Sequence, residues 1–139
     1  MKRTVQRGKI VYLTVEGHRR VLPTDTDKFG KRPFLVVQRD YANADSNRSL
    51  VVGITTEPQN KVAELAKKRF AGVEAFLPKG PGLVNEDSIA DCGNILTVYD
   101  REIHDIFDSA YLTDVMRYVD QALRVALDLD SDGCYLSQL

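Results

Sequence analysis

The sequence has few of the residues that build disulfide frameworks and metal centres. Its 139 residues include two cysteines, two histidines and no tryptophan. Cys92 and Cys134 do not form a CxxC pair, and His18 lies far in sequence from His104. A disulfide scaffold and a Cys/His zinc site are therefore not expected, and we predict that the protein holds no metal ion.

The sequence also has no large net charge of either sign and no long apolar run. The formal net charge is only -1, so binding to a nucleic acid would depend on a local basic patch. No apolar segment has the length of a membrane span, and none follows the basic start as in a signal peptide. We expect a cytoplasmic protein without a membrane segment.

The length and composition predict one folded domain. Hydrophobic residues make up 43% of the chain and charged residues 28%, as in ordinary globular proteins. We expect a single domain over residues 1–139, with a core from about 7 to 130. Residues 131–139 would form a mobile tail.

Short β-branched and aromatic runs predict strands in the first two thirds of the chain. These runs cover residues 10–15, 34–38, 50–55, 73–77 and 88–98, the last with a kink at Gly93. Turn-forming residues between the second and third runs predict that these two strands are neighbours.

Two segments have helical periodicity. Residues 60–70 form an amphipathic pattern, and apolar residues recur at three- and four-residue steps from about 109 to 127. Ser109 or Thr113 would cap the second helix. The first helix carries basic residues that are either a solvated face or an edge that contacts phosphate: Lys61, Lys67, Lys68 and Arg69.

The order of these elements predicts a β-rich α+β fold. Strands come first and a long helix last, without alternating βα units, which favours a small antiparallel barrel or curled sheet with helices outside it. The common catalytic signatures GxSxG, Walker A, HExxH and GxGxxG are absent.

Two short stretches carry the remaining chemical signal. TDTDKFGKRP places Lys28, Lys31 and Arg32 before the second strand, where the following proline favours an extended arginine. GITTEP places Thr55 and Thr56 at the end of the third strand. Singly, each residue is more often an ordinary surface or packing residue. If the two strands are neighbours, however, their ends converge, and cations and hydroxyls would meet there.

Their joint arrangement resembles a known family. GKRPFLVVQRDYAN, then LVVGITTEP, then LVNEDSIADCGNILTVYDREI and finally VDQAL resemble the MazF/PemK (Kid-like) toxins of type II toxin–antitoxin systems. The resemblance covers residues from about 7 to 127. It implies a small SH3-like barrel with appended helices, a homodimer, and metal-independent cleavage of single-stranded RNA that inhibits translation and growth. It also implies a cognate antitoxin protein that covers the RNA groove.

The resemblance implies roles for individual residues. The family's catalytic arginine and threonine fall on Arg32 and Thr55, and an acidic residue of the preceding loop falls on Asp27. Lys28, Lys31, Thr56 and Asp91 complete the expected substrate-binding set with Asp27.

The chain also departs from the family pattern at two places. Many members have an acid followed by Gln, and then an Arg-Thr step, where this chain has Gly93-Asn94 and Leu96-Thr97. A third functional group is thus missing from its expected place, and Asp91 is the candidate substitute. The segment 57–72 is longer than the family norm.

The implied chemistry needs no cofactor. The 2′-hydroxyl of RNA attacks the adjacent phosphate, so the enzyme aligns and stabilises a nucleophile that the substrate brings. Arg32 would stabilise the charge that builds on the phosphate, and Thr55 would donate a hydrogen bond. The residues leave the general base unidentified. Two alternatives stay open: a CcdB-like gyrase poison, and a catalytically silent relative that binds RNA or protein.

Overall fold

The computed structural model describes residues 5–14, 31–38, 40 and 46–129. This part of the chain forms strands β1 to β7, helices α1 and α2, and one short 3-10 helix. The strands are β1 Lys9–Thr14, β2 Lys31–Val36, β3 Arg48–Thr55, β4 Phe70–Ala71, β5 Glu74–Leu77, β6 Ser88–Tyr99 and β7 Ile103–Ala110. The helices are α1 Gln59–Lys68, α2 Thr113–Ala126 and the 3-10 helix Asp100–Glu102.

The strands form one antiparallel sheet in the order β4-β5-β6-β3-β2-β1-β7. The predicted pairing of β2 with β3 is confirmed, with Phe34 opposite Gly53. The predicted class, a β-rich fold with a short basic helix and a C-terminal amphipathic helix, is also confirmed. Among the described strands β4 and β7 are the two sheet edges, so this barrel-like sheet is not closed.

Side chains alternate between two faces of the sheet and build a core on each. On one face α2 packs through Met116, Val119 and Ala122 against strand residues such as Leu35 and Val52. The opposite face carries a second core: Val5, Val11, Leu13, Phe34, Val36, Val51, Leu96, Val98 and Ile103. Helix α1 lies on this opposite face, where Val62 and Leu65 contact Phe76 and Ile89.

Three boundaries differ from the sequence expectation. β7 was not predicted, because only Ile103 of its eight residues is buried and the apolar pattern is weak. Ser109 belongs to β7, and α2 begins at Thr113 with Leu112 as its N-cap residue and no side-chain capping bond, so the predicted caps are wrong. α1 ends at Lys68, because Arg69 adopts a left-handed conformation (φ 75°) and its N–H bonds to Leu65. The expected tail lies outside the described residues.

None of the described helices is long and apolar enough to cross a membrane.

Candidate active site

Gly53 of β3 forms the floor of a polar site. A Cβ atom on Gly53 would lie 3.2 Å from Nη2 of Arg32 and 2.6 Å from Nδ2 of Asn94. The guanidinium carbon of Arg32 also lies 5.4 Å from the centre of the Phe34 ring, which is buried beneath it. The missing side chain of Gly53 thus lets a cation and an amide converge over one point of the sheet.

Arg32 lies within a strand and not in the preceding loop, which corrects the sequence expectation. Arg32 pairs with Leu13 of β1, whereas the register of β2 with β3 runs only from Phe34 to Val36. Pro33, which has no N–H to donate, therefore occupies a stretch of β2 bonded on one side. The paired register of β2 with β3 thus ends before Arg32, which is half-buried.

Thr55 ends β3 at the same side of the molecule. Val51, Gly53 and Thr55 are two residues apart along β3, so Thr55 lies on the same face of the sheet as they do. This is the face that carries Arg32. Continuing the register of Phe34 with Gly53 by two residues places Thr55 opposite Arg32. The Thr55 hydroxyl accepts a hydrogen bond from the Glu57 N–H (3.2 Å) and donates one to the Glu57 carbonyl (3.4 Å). The local turn therefore holds the hydroxyl at the strand end.

A bulge in β6 brings Asn94 to the site. Val52 pairs with Ile95 but Gly53 pairs with Asp91, so β6 contains three additional residues at this point. The bulge lays the Asn94 side chain over Gly53 and directs Cys92 into the core. Burial raises the pKa of the Cys92 thiol to about 12, which makes this thiol a poor nucleophile.

The Asn94 amide was missed by the sequence reasoning, which treated Gly93-Asn94 as the loss of a functional group. A glycine inside a strand pattern is a signal for a bulge, but it does not reveal which side chain the bulge redirects.

Asp91 continues the site towards α1. It pairs with Gly53 on one side and Glu74 on the other, and its Oδ1 accepts a hydrogen bond from the Gly93 N–H (3.0 Å). Lys61 of α1 forms a 2.7 Å ion pair with Glu74. The hydrogen bond to Glu74 raises the pKa of Lys61, and Asp91 contributes to the rise. One ammonium, from Lys61, and two carboxylates, from the strand partners Glu74 and Asp91, therefore line this edge of the site.

The structure brings three of the sequence-predicted site residues onto one face at one end of the sheet: Arg32, Thr55 and Asp91. Thr56 follows the end of β3, where its carbonyl accepts a hydrogen bond from the Gln59 side chain (3.3 Å). Lys31 begins β2, but its side chain lies outside the described part of the chain, as do Asp27 and Lys28 entirely. The described residues contain no group of three or more His, Cys, Asp or Glu side chains placed to hold a metal ion.

Comparisons with solved structures identify the fold. A mycobacterial endoribonuclease in complex with its cognate antitoxin is 18% identical, with a TM-score of 0.63 over 90% of this chain and 96% of that chain. The Mycobacterium tuberculosis toxin MazF-mt6 is 19% identical, with a TM-score of 0.61 over 88% and 98%. MazF from Deinococcus radiodurans is 16% identical, with a TM-score of 0.62 over 91% and 99%.

The search of curated protein sequences gave no match. The family model of the PemK-like, MazF-like toxin of type II toxin–antitoxin systems matches residues 6–127, nearly the whole chain. With the sheet, the two helices and the polar site at the end of β3, this match shows that the chain belongs to the PemK-like, MazF-like toxin family.

Proposed function

We propose that the protein is an endoribonuclease that cleaves single-stranded RNA at a short sequence, with Arg32 and Thr55 as its catalytic residues. This proposal rests on one observation: the Arg32 guanidinium and the Asn94 amide converge over Gly53, on the face of β3 that also carries Thr55. Family membership and neighbours named as endoribonucleases support the proposal.

The reaction follows from the groups in the site. The ribose 2′-oxygen loses its proton and attacks the adjacent phosphorus, the bond to the 5′-oxygen breaks, and that oxygen takes up a proton. The products are a 2′,3′-cyclic phosphate and a 5′-hydroxyl, and the reaction requires no cofactor or metal ion. Arginine stays protonated at physiological pH, so Arg32 stabilises the charge that develops on the phosphate. Thr55 donates a hydrogen bond to a phosphate oxygen, and its hydroxyl gives up the long 3.4 Å bond to the Glu57 carbonyl to do so.

The remaining expected residues bind the RNA on either side of this centre. Asp91 borders Gly53 directly, and its carboxylate accepts hydrogen bonds from base or ribose donors. Thr56 and Lys31 adjoin the ends of β3 and β2, and Asp27 and Lys28 precede β2 in sequence. These contacts would select the short sequence that is cut.

In the cell the substrate would be mRNA in the cytoplasm, and its cleavage would stop translation and growth. A cognate antitoxin would neutralise the protein by covering the same groove. The neighbours solved with their antitoxins support this part of the proposal.

The test is incubation of a long single-stranded RNA with the purified protein and EDTA, followed by analysis of the fragment ends. We expect cyclic phosphate and 5′-hydroxyl ends, and resistance of a substrate with 2′-deoxyribose at the cut. Arg32→Ala and Thr55→Ala should each lower the cleavage rate by about 100-fold or more, as loss of an oxyanion donor does. Thr56→Ala, the adjacent control, should have a much smaller effect.

Three results would contradict the proposal. Intact RNA together with gyrase-dependent DNA breaks would indicate a gyrase poison, and RNA binding without cleavage would indicate a silent relative. Full cleavage by well-folded Arg32→Ala protein would disprove the assignment of the catalytic arginine.

A further inference from the structure

Helix α1 stands directly beside the candidate active site. Its buried residues Val62 and Leu65 pack on Phe76 and Ile89. Ile89 is the strand partner of Thr55, so the helix rests one strand away from the catalytic hydroxyl. The helix therefore forms a wall on the face of the sheet that carries the site.

Lys61 is the basic residue of α1 that is connected to the site. Its ammonium is paired with Glu74, and Glu74, Asp91 and Gly53 occupy matched positions on three neighbouring strands. Because neighbouring strands lie about 4.8 Å apart, the backbone of Glu74 is roughly 10 Å from that of Gly53. Lys61, paired with Glu74, thus lies on the β5 side of Gly53, whereas Arg32 lies on the β2 side.

The other basic residues of this segment are engaged differently. Lys68 pairs with Glu64 one turn earlier on the helix, and the guanidinium of Arg69 lies over the Phe76 ring. Lys67 is exposed two positions after the buried Leu65, on the outer side of the helix. Lys61 therefore differs from the others in facing the row of residues that leads to Gly53.

The Lys61 ammonium keeps exposed donors for a phosphate ligand, with the carboxylates of Glu74, Asp91 and Glu64 as its charged neighbours. Its side chain is 46% exposed, and Glu74, at 21%, holds it from the sheet side. An ammonium carries three donors, and Glu74 engages one of them. A tethered cation loses less conformational freedom on binding than an untethered lysine does.

We propose that Lys61 binds a backbone phosphate beside the cleaved bond, so that α1 forms the wall of the RNA groove opposite Arg32. This inference rests on the proposed ribonuclease function. If it holds, the longer segment between β3 and β5 is part of the substrate site. It predicts that Lys61 contributes to RNA affinity and not to the chemical step.

The experiment compares Lys61→Met, Lys61→Arg and the matched control Lys67→Met. The probe is an oligonucleotide that spans a sequence cut by the wild-type protein, with 2′-deoxyribose at the cut so that binding is measured alone. We expect Lys61→Met to raise Kd about 5- to 10-fold at low salt and to reduce the slope of log K against log salt by about 0.7. Lys61→Arg and Lys67→Met should stay within about twofold of wild type, and kcat on cleavable RNA should not change.

The outcomes separate this inference from the function on which it rests. If the wild-type protein neither binds nor cuts RNA, both proposals are overturned. If it cuts RNA and Lys61→Met behaves like Lys67→Met in affinity and salt slope, this inference alone is overturned. The same holds if Lys61→Met weakens only antitoxin binding, or if it lowers kcat. Thermal melts check the fold, and Lys61→Gln replaces Lys61→Met if the latter melts below the assay temperature.

Discussion

At the scale of single residues, the site depends on the absence of a Cβ atom at Gly53. A methyl group there would collide with Asn94 at 2.6 Å and press on Arg32 at 3.2 Å. Both colliding atoms are the ends of flexible side chains, so they can move aside at small cost to the fold. Their displacement would nevertheless disturb the position of the arginine, and catalysis is sensitive to shifts of about 1 Å.

Gly53→Ala should therefore separate activity from stability. We expect the cleavage rate to fall about 10- to 100-fold, while the free energy of unfolding changes by less than about 1 kcal/mol. The rate on cleavable RNA and urea denaturation measure the two effects. In an Asn94→Ala background Gly53→Ala should lower the rate less than it does in wild type, because the closer collision is already removed. A wild-type rate in Gly53→Ala would show that the position of Arg32 over Gly53 does not matter.

At this scale the sequence reveals part of the site. Arg32 and Thr55 lie in short patterns next to predicted neighbouring strands, so their position at one end of the sheet follows from β2–β3 pairing alone. The arrival of Asn94 depends on a bulge that shifts the register of β6 by three residues. The shift accompanies the burial of Cys92 in the core, a tertiary contact that no local pattern encodes.

At the scale of elements, α1 is held by a small core of its own. Leu65 is 2% exposed and contacts Val62, Phe76 and Ile89 beneath the helix. The outer side of the helix carries charged residues, among them the pair of Lys68 with Glu64. This pair contributes little at the surface, so the apolar contacts hold α1 on the sheet.

Leu65→Ala should lower the free energy of unfolding by about 2–3 kcal/mol, the lower part of the range for a buried leucine. Lys67→Ala, two residues further on the exposed side, should change it by less than about 0.5 kcal/mol. Urea denaturation followed by circular dichroism measures both. Equal stability of the two variants would show that α1 is not anchored through Leu65.

The elements differ in how far the sequence predicts them. The helices were predicted because their buried residues recur at helical spacing, as Met116 and Val119 do in α2. β7 was missed because it is half-exposed, and its place as an edge strand comes from pairing with β1 across almost the whole chain. The end of α1 was predicted two residues too late. Arg69 has a positive φ there, and a positive φ is not expected for an arginine from sequence alone.

At the scale of the whole molecule, the polar site occupies one end of one face of the sheet. The chain is nearly neutral overall, with a formal net charge of -1, so the proposed RNA binding would depend on local groups such as Arg32 and Lys61. Single-stranded RNA is held along several nucleotides, by a groove that follows its backbone. One small sheet provides little length for such a groove.

We therefore expect a homodimer with a two-fold axis, in which two copies of the chain extend the groove. The same patch would meet its copy across the axis, as in most soluble homodimers. Family resemblance supports this expectation, and the exposed apolar side chains of Leu112, Val125 and Leu127 at the two ends of α2 give each copy surface that a partner can bury. Light scattering coupled to gel filtration, at micromolar concentration and without antitoxin, should give twice the mass of the chain. A monomeric mass under these conditions would contradict the dimer and would leave each site to bind RNA with the groups of one chain.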